Sequence, residues 1–174
     1  MSNKILARGI ASQILAAIYT LKDCIDRCPE AEWNETHSDY PFPQIVFHIL
    51  FDCDLKMSSS ISELKAQQFH EIYREVFADY EELGENERTH LYTRSFINDY
   101  YQFCINKIIT VIESKENEEL LTPNSDVFSN MTKCERYINT IRHIQHHTAQ
   151  LGLKIQYFSK REMDWINRGH DGYL

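Results

Sequence analysis

Residues 132–158 read TKCERYINTIRHIQHHTAQLGLKIQYF, and this stretch decides the expected fold. Side chains of one face recur alternately every four and three residues, at Tyr137, Ile141, Ile144, Thr148, Leu151, Ile155 and Phe158. This spacing is typical of a helix whose apolar seam packs against other helices. Thr132 and Glu135 form a T-x-x-E capping box, which predicts that the helix begins there.

Three other stretches carry the same helical periodicity. The first covers about residues 2–28 and stops before Pro29, and the second, about 43–60, is apolar nearly all round. The third covers about 93–114, and residues 61–92 between the last two are interpreted as an inserted or covering segment. Because no segment alternates with a period of two, the sequence predicts an all-α fold, an antiparallel four-helix bundle with an insertion between helices two and three.

Length and charge limit the function classes. The chain has 174 residues and a mass of 20.6 kDa, so we expect one domain over residues 1–174. The chain has a net charge of −8, whereas nucleic-acid binding needs a basic surface. No nucleic-acid partner is therefore expected. The sequence contains no run of 18 apolar residues, so it predicts no membrane-spanning helix. Arg8, Ser12 and Gln13 interrupt the N-terminal apolar run, which we interpret as a helix of a cytoplasmic protein rather than a signal peptide.

The segments outside the four helices carry fewer signals. We interpret residues 115–130 as an acidic loop and expect the tail, 159–174, to fold back over one end of the fold. Five scattered cysteines lack the spacing of a zinc ribbon, so we interpret them as free buried thiols in a reducing compartment. They are Cys24, Cys28, Cys53, Cys104 and Cys134.

The fourth helix holds a cluster of histidines. His143 and His147 are four residues apart, so their directions around the helix axis differ by only about 40°. Both lie on the shoulder of the seam and can point between helices, whereas His146 lies roughly 170° from the seam centre and faces solvent. Thus His143 and His147 can share a metal ion, while His146 cannot join them.

A third ligand must come from another helix, because catalytic zinc-type sites usually have three protein ligands and one open position. His48, in the middle of the most apolar helix, is the best candidate. Asp52, one turn later, could accept a hydrogen bond from His48 or act as a fourth ligand, and it is the nearest candidate for a catalytic general base. Structural roles for these histidines remain the alternative. The other histidines are interpreted as surface residues: His37, His70, His90 and His170.

These pieces together resemble the DinB/YfiT-like family of bacterial four-helix-bundle metalloproteins. The matching segments are PQIVFHILFDCDLKM at 43–57, RHIQHHTAQLGLKIQYF at 142–158 and the closing WINRG at 165–169. Where the family often has His-Arg-Gly-Gln-Leu, this chain has His-Thr-Ala-Gln-Leu from His147, so the arginine and glycine are replaced. The resemblance extends over nearly the whole chain in helix order.

The resemblance implies a divalent metal ion bound by His48, His143 and His147, with zinc or nickel favoured and iron or manganese as further options. It also implies a homodimer and a small-molecule substrate. Family members with known activities include S-transferases that use low-molecular-weight thiols and metal-dependent hydrolases. We interpret Gln150, like Asp52, as a residue that contacts a metal-binding histidine and supports it. Two functions stay open: a transferase or hydrolase, or a non-catalytic bundle that binds metal or dimerises.

Overall fold

The computed structural model describes residues 4–35, 40–77, 92–123 and 130–169. Within these ranges the chain forms helices and turns but no strand, which confirms the all-α class. In chain order the α-helices are α1 (Ile5–Arg27), α2 (Phe42–Met57), α3 (Ile61–Lys65), α4 (Gln68–Ile72), α5 (Arg94–Glu113), α6 (Asn117–Leu120) and α7 (Lys133–Ser159). None of them, in the part of the chain described, has the length and apolar character needed to cross a membrane.

The four long helices contact one another in a closed cycle, α1 with α5 and α7, and α2 with α5 and α7. Their apolar stripes meet in one core. α1 contributes the most regular stripe, with Ile14, Ile18, Leu21 and Ile25 completely buried at three- and four-residue spacing. Each such side chain contributes roughly 1.5–3 kcal/mol of hydrophobic stabilisation.

Both later long helices begin at the predicted threonines. The Thr132 hydroxyl accepts a hydrogen bond from Glu135 N at 3.2 Å, and the Glu135 carboxylate accepts one from Thr132 N at 2.8 Å. The predicted capping box is therefore present at the start of α7. Thr93 caps α5 in the same way through Phe96 N. Within the expected acidic loop 115–130, Asn117–Leu120 form α6, and residues 124–129 lie outside the described part of the chain.

The first half of the predicted insertion covers an aromatic cluster between α2 and α5. Phe69 of α4 stacks on Phe103 with ring centroids 4.6 Å apart, and Phe77 packs on Phe47 at 5.6 Å. Residues 78–91 lie outside the described part of the chain. Among the described residues of the predicted insertion, 61–77 cover this cluster.

The described part of the tail, up to Gly169, runs along α1, whereas the sequence predicted a tail that folds back over one end. Asp164 N donates to Asp23 Oδ2 at 2.8 Å, and Gly169 N donates to Ser12 O at 2.9 Å. These contacts extend over three turns of α1, in the opposite chain direction. The described part of the tail therefore packs lengthwise against α1.

Candidate metal centre

Three histidines from two helices converge on one point. His48 of α2 and His143 and His147 of α7 each offer one ring nitrogen, and these nitrogens all lie within 4.8 Å of one another. Nε2 of His48 lies 3.0 Å from Nε2 of His143. The ring centroids are 4.7 to 4.9 Å apart in all three pairs. The structure therefore brings together the three residues that the sequence singled out.

His146 stays outside this group, as the helical geometry predicts. Its side chain is exposed, whereas His143 and His147 are half-buried. Its ring is steeply inclined to that of His147, at 78°, with centroids 4.8 Å apart. The 3.6-residue period of α7 sets this difference, because it turns residue 146 about 100° away from residue 147.

Antiparallel packing of α2 and α7 sets the position along the helix axes at which the histidines meet. Lys56, near the end of α2, donates to Oδ1 of Asn139, near the start of α7, at 2.7 Å. At the opposite end, Lys154 of α7 donates to the Tyr40 carbonyl just before α2, at 2.9 Å. His48 lies between these two ties, so it faces the middle of α7.

Asp52 supports a different histidine from the one predicted. Its Oδ2 lies 3.0 Å from Nδ1 of His143, so the expected contact with His48 on its own helix is wrong. The carboxylate extends across to α7 rather than back along α2. Lys56 donates to the same oxygen at 2.8 Å.

Gln150 stands behind the other histidine of α7. Its Oε1 lies 2.8 Å from Nδ1 of His147 and can accept a hydrogen bond from it. Each histidine of the pair thus has an oxygen beside Nδ1, which favours a proton there and a lone pair on Nε2. Such acceptors are the usual support of metal-binding histidines.

The electrostatics favour neutral rings at His48 and His147 and an ionised carboxylate at Asp52. Burial, reinforced by His143 and His147, lowers the pKa of His48 to about 4. Burial also lowers the pKa of His147. Burial alone would raise the pKa of Asp52, but its contacts with His143 and Lys56 outweigh that effect and leave it below its ordinary value. His48 is therefore unprotonated near neutral pH, as metal binding requires.

The spacing of the nitrogens fits one ion. Two nitrogens 3.0 Å apart, each bonded at about 2.05 Å, would subtend about 94° at the metal, which is an ordinary angle between ligands. In a tetrahedral site with bonds of about 2.05 Å the nitrogens lie about 3.3 Å apart, so nitrogens within 4.8 Å of one another need to close by at most about 1.5 Å. Imidazole nitrogens suit zinc, nickel and iron, and oxygen ligands suit manganese better.

A second polar cluster, on the other side of α2, was missed from the sequence. His70 is buried, so its interpretation as a surface residue is wrong: its Nε2 lies 2.7 Å from Oδ2 of the fully buried Asp54. Tyr100 donates to the same oxygen at 2.9 Å, and Lys107 donates to Oδ1 at 2.5 Å. An apolar helix carrying two aspartates was the available signal, because a buried carboxylate must find donors. His37, His90 and His170 lie outside the described residues.

A cavity of about 560 Å³ lies further along the groove between α2 and α7. Its walls include Phe42, six residues before His48, and Leu153, six residues after His147. Tyr157 and Phe158 add aromatic surface. The lining does not include the three histidines, so the cavity is a neighbour of the histidine group rather than part of it.

Comparison with known proteins gives no relative: no family, no curated protein and no solved structure matches the chain. The family resemblance, and the homodimer and reaction types that it implies, therefore stay predictions. The case for a function depends on the geometry of the histidine group.

Proposed function

We propose that the protein is a metal-dependent enzyme of the DinB/YfiT-like type, a four-helix bundle that acts on a small molecule. His48, His143 and His147 hold one divalent ion, zinc or nickel by preference. The observation that carries the proposal is the convergence of these three imidazoles from two helices. Buried polar atoms usually have a hydrogen-bond partner, and three ring nitrogens within 4.8 Å of one another are a set of donors that one ion can satisfy together.

The ring nitrogens are preorganised for metal binding in the metal-free protein. His48 is already neutral near pH 7, so a metal ion does not have to displace a proton from its ring nitrogen. Asp52 and Gln150 hold the rings of His143 and His147 at Nδ1. When bound, the ion supplies Lewis acidity, which lowers the pKa of a bound water or stabilises a thiolate.

Asp52 has the role of orienting His143 rather than of a general base. Its Oδ2 accepts a hydrogen bond from Lys56 and lies 3.0 Å from Nδ1 of His143, and its pKa lies below the ordinary value. A carboxylate held in this way is a weak proton acceptor near neutral pH. The early interpretation of Asp52 as the catalytic residue is replaced by this positioning role.

The cavity between Phe42 and Leu153 is the proposed site for the part of the substrate that does not react, because its lining does not include the three histidines. Its volume of about 560 Å³ lies within the roughly 300–1,000 Å³ of small-molecule pockets. Its walls combine aromatic and aliphatic surface with the charged side chains of Glu32, Glu35 and Lys154, so they suit a small molecule that has both an apolar and a polar part. A low-molecular-weight thiol remains the proposed co-substrate.

The test combines metal analysis with turnover. Purified protein is analysed for metal, stripped, and reloaded with zinc or nickel, and each form is assayed with a small thiol plus an aryl halide and with an activated ester. Turnover that depends on the ion supports the enzyme. One bound ion without turnover favours the non-catalytic alternative, and failure to bind either ion contradicts both metal proposals.

Exposed apolar side chains favour the alternative of a dimerising bundle. Leu153 is 68% exposed and Tyr157 is 72% exposed, on successive turns of α7, and Ile138 is 46% exposed near its start. Apolar groups in such a row often mark a contact with another chain. Sedimentation of wild type and of Leu153→Glu tests whether this face joins two copies.

A further inference from the structure

Lys56 occupies an unusual position beside the histidine centre. Its side chain is only 8% exposed, although burial of an ammonium group is costly unless it is paired. It donates to Oδ2 of Asp52 on its own helix at 2.8 Å and to Oδ1 of Asn139 on α7 at 2.7 Å. The ammonium is therefore held from both helices.

One oxygen atom links this ammonium to the metal centre. Oδ2 of Asp52 accepts from Lys56 and also lies 3.0 Å from Nδ1 of His143. The other anchor of Lys56, Asn139, lies four residues before His143 and so on the same face of α7. Lys56 therefore bonds to α2 at Asp52 and to α7 one turn before His143.

We propose that Lys56 is a positioning residue for the metal centre: it holds Asp52 against Nδ1 of His143 and thereby fixes the ring tautomer of His143. This inference rests on the proposed function. With the proton on Nδ1, the lone pair of Nε2 points towards Nε2 of His48 and the shared ion. Without Lys56 the carboxylate loses its second donor, and the His143 ring samples both tautomers.

The competing interpretation is that Lys56 only ties α2 to α7. The chain offers a matched control for that role. The Lys107 side chain of α5 is also largely buried, at 9% exposure, and it pairs with Asp54 of α2, on the side of α2 away from the histidines. Lys107→Met removes a comparable ion pair, so it reproduces the loss of stability without touching the metal centre.

The experiment compares wild type, Lys56→Met and Lys107→Met as full-length protein. Ring ¹⁵N shifts of the metal-free protein report the tautomer of His143, and competition with a chromogenic chelator reports zinc affinity. We expect Lys56→Met to give mixed tautomers at His143 and about tenfold weaker zinc binding. Lys107→Met keeps the wild-type tautomer and affinity, although it melts at a lower temperature.

The proposal is overturned if Lys56→Met keeps the wild-type tautomer, or if Lys107→Met changes it equally. Should Lys56→Met fail to fold, Asn139→Ala removes one anchor of the ammonium and should shift the tautomer in the same direction. If wild type binds no zinc, the proposed function fails. The tautomer of metal-free His143 still decides the role of Lys56.

Discussion

Nε2 of His48 lies 3.0 Å from Nε2 of His143, although 95 residues separate them in the chain. The contact joins the middle of α2 to the middle of α7, and His147 adds a third ring to the same group. Because imidazole nitrogens are good ligands for divalent ions, this contact has consequences that can be measured.

Metal uptake should depend on which face of α7 a histidine occupies. We expect His48→Ala and His143→Ala, singly or together, to abolish stoichiometric zinc binding in calorimetry, because two imidazoles leave the ion under-coordinated. His146→Ala should bind nearly as wild type, because that ring is exposed and outside the group. Equal losses in all three variants would contradict the assigned ligand set.

His70 should matter for stability and not for metal. His70→Ala removes a ring stacked on Phe77 with centroids 3.9 Å apart and a donor to buried Asp54. We expect the free energy of unfolding in urea to fall by about 2–4 kcal/mol. His146→Ala, an exposed histidine, serves as control and should change it by less than about 0.5 kcal/mol. Loss of zinc binding in a folded His70→Ala variant would link the two clusters and contradict their separation.

Two glycines should respond in opposite directions to alanine. A Cβ on Gly169 would lie 2.5 Å from Cβ of Leu15 and 2.8 Å from the Ser12 carbonyl, so Gly169→Ala must displace the tail from α1. We expect a loss of about 1–3 kcal/mol. A Cβ on Gly9, inside α1, would meet nothing within 4 Å, so Gly9→Ala should add about 0.5–1 kcal/mol through helix propensity. Thermal denaturation measures both, and equal effects would refute the tight packing of the tail.

The cysteines should differ in reactivity with pH. Burial raises the pKa of Cys24 to about 12 and of Cys28 to about 11, so at pH 8 both are almost entirely thiols, which are poor nucleophiles. Cys53 and Cys104 are fully buried with raised pKa values, whereas Cys134 is partly exposed. Iodoacetamide at pH 8 should therefore add one group to the native protein by intact-mass spectrometry.

Addition of five groups in urea is the control for that measurement. Rapid modification of Cys24 or Cys28 in the native protein at pH 8 would show that the tail and helices do not protect them. Raising the pH to 10 should speed their modification, because the thiolate fraction of a group with a raised pKa increases as the pH approaches it.

The sequence alone determined the four long helices and their faces. The capping box at Thr132, the period of α7 and the absence of a period-two segment predicted an all-α fold, which the structure confirms. The same period separated His143 and His147 from His146. These features are local, because the rotation of a side chain about its own helix follows from residue spacing.

Tertiary structure decided everything that depends on the relation between helices. Only the height at which α2 meets α7 places Asp52 beside His143 instead of His48, and only the fold of residues 61–77 buries His70 on Asp54. Spacing along one helix carries no information about its partner's axial shift or rotation. Those two quantities follow from the packing of whole apolar faces, so the contacts of a polar side chain between helices appear only in the folded molecule.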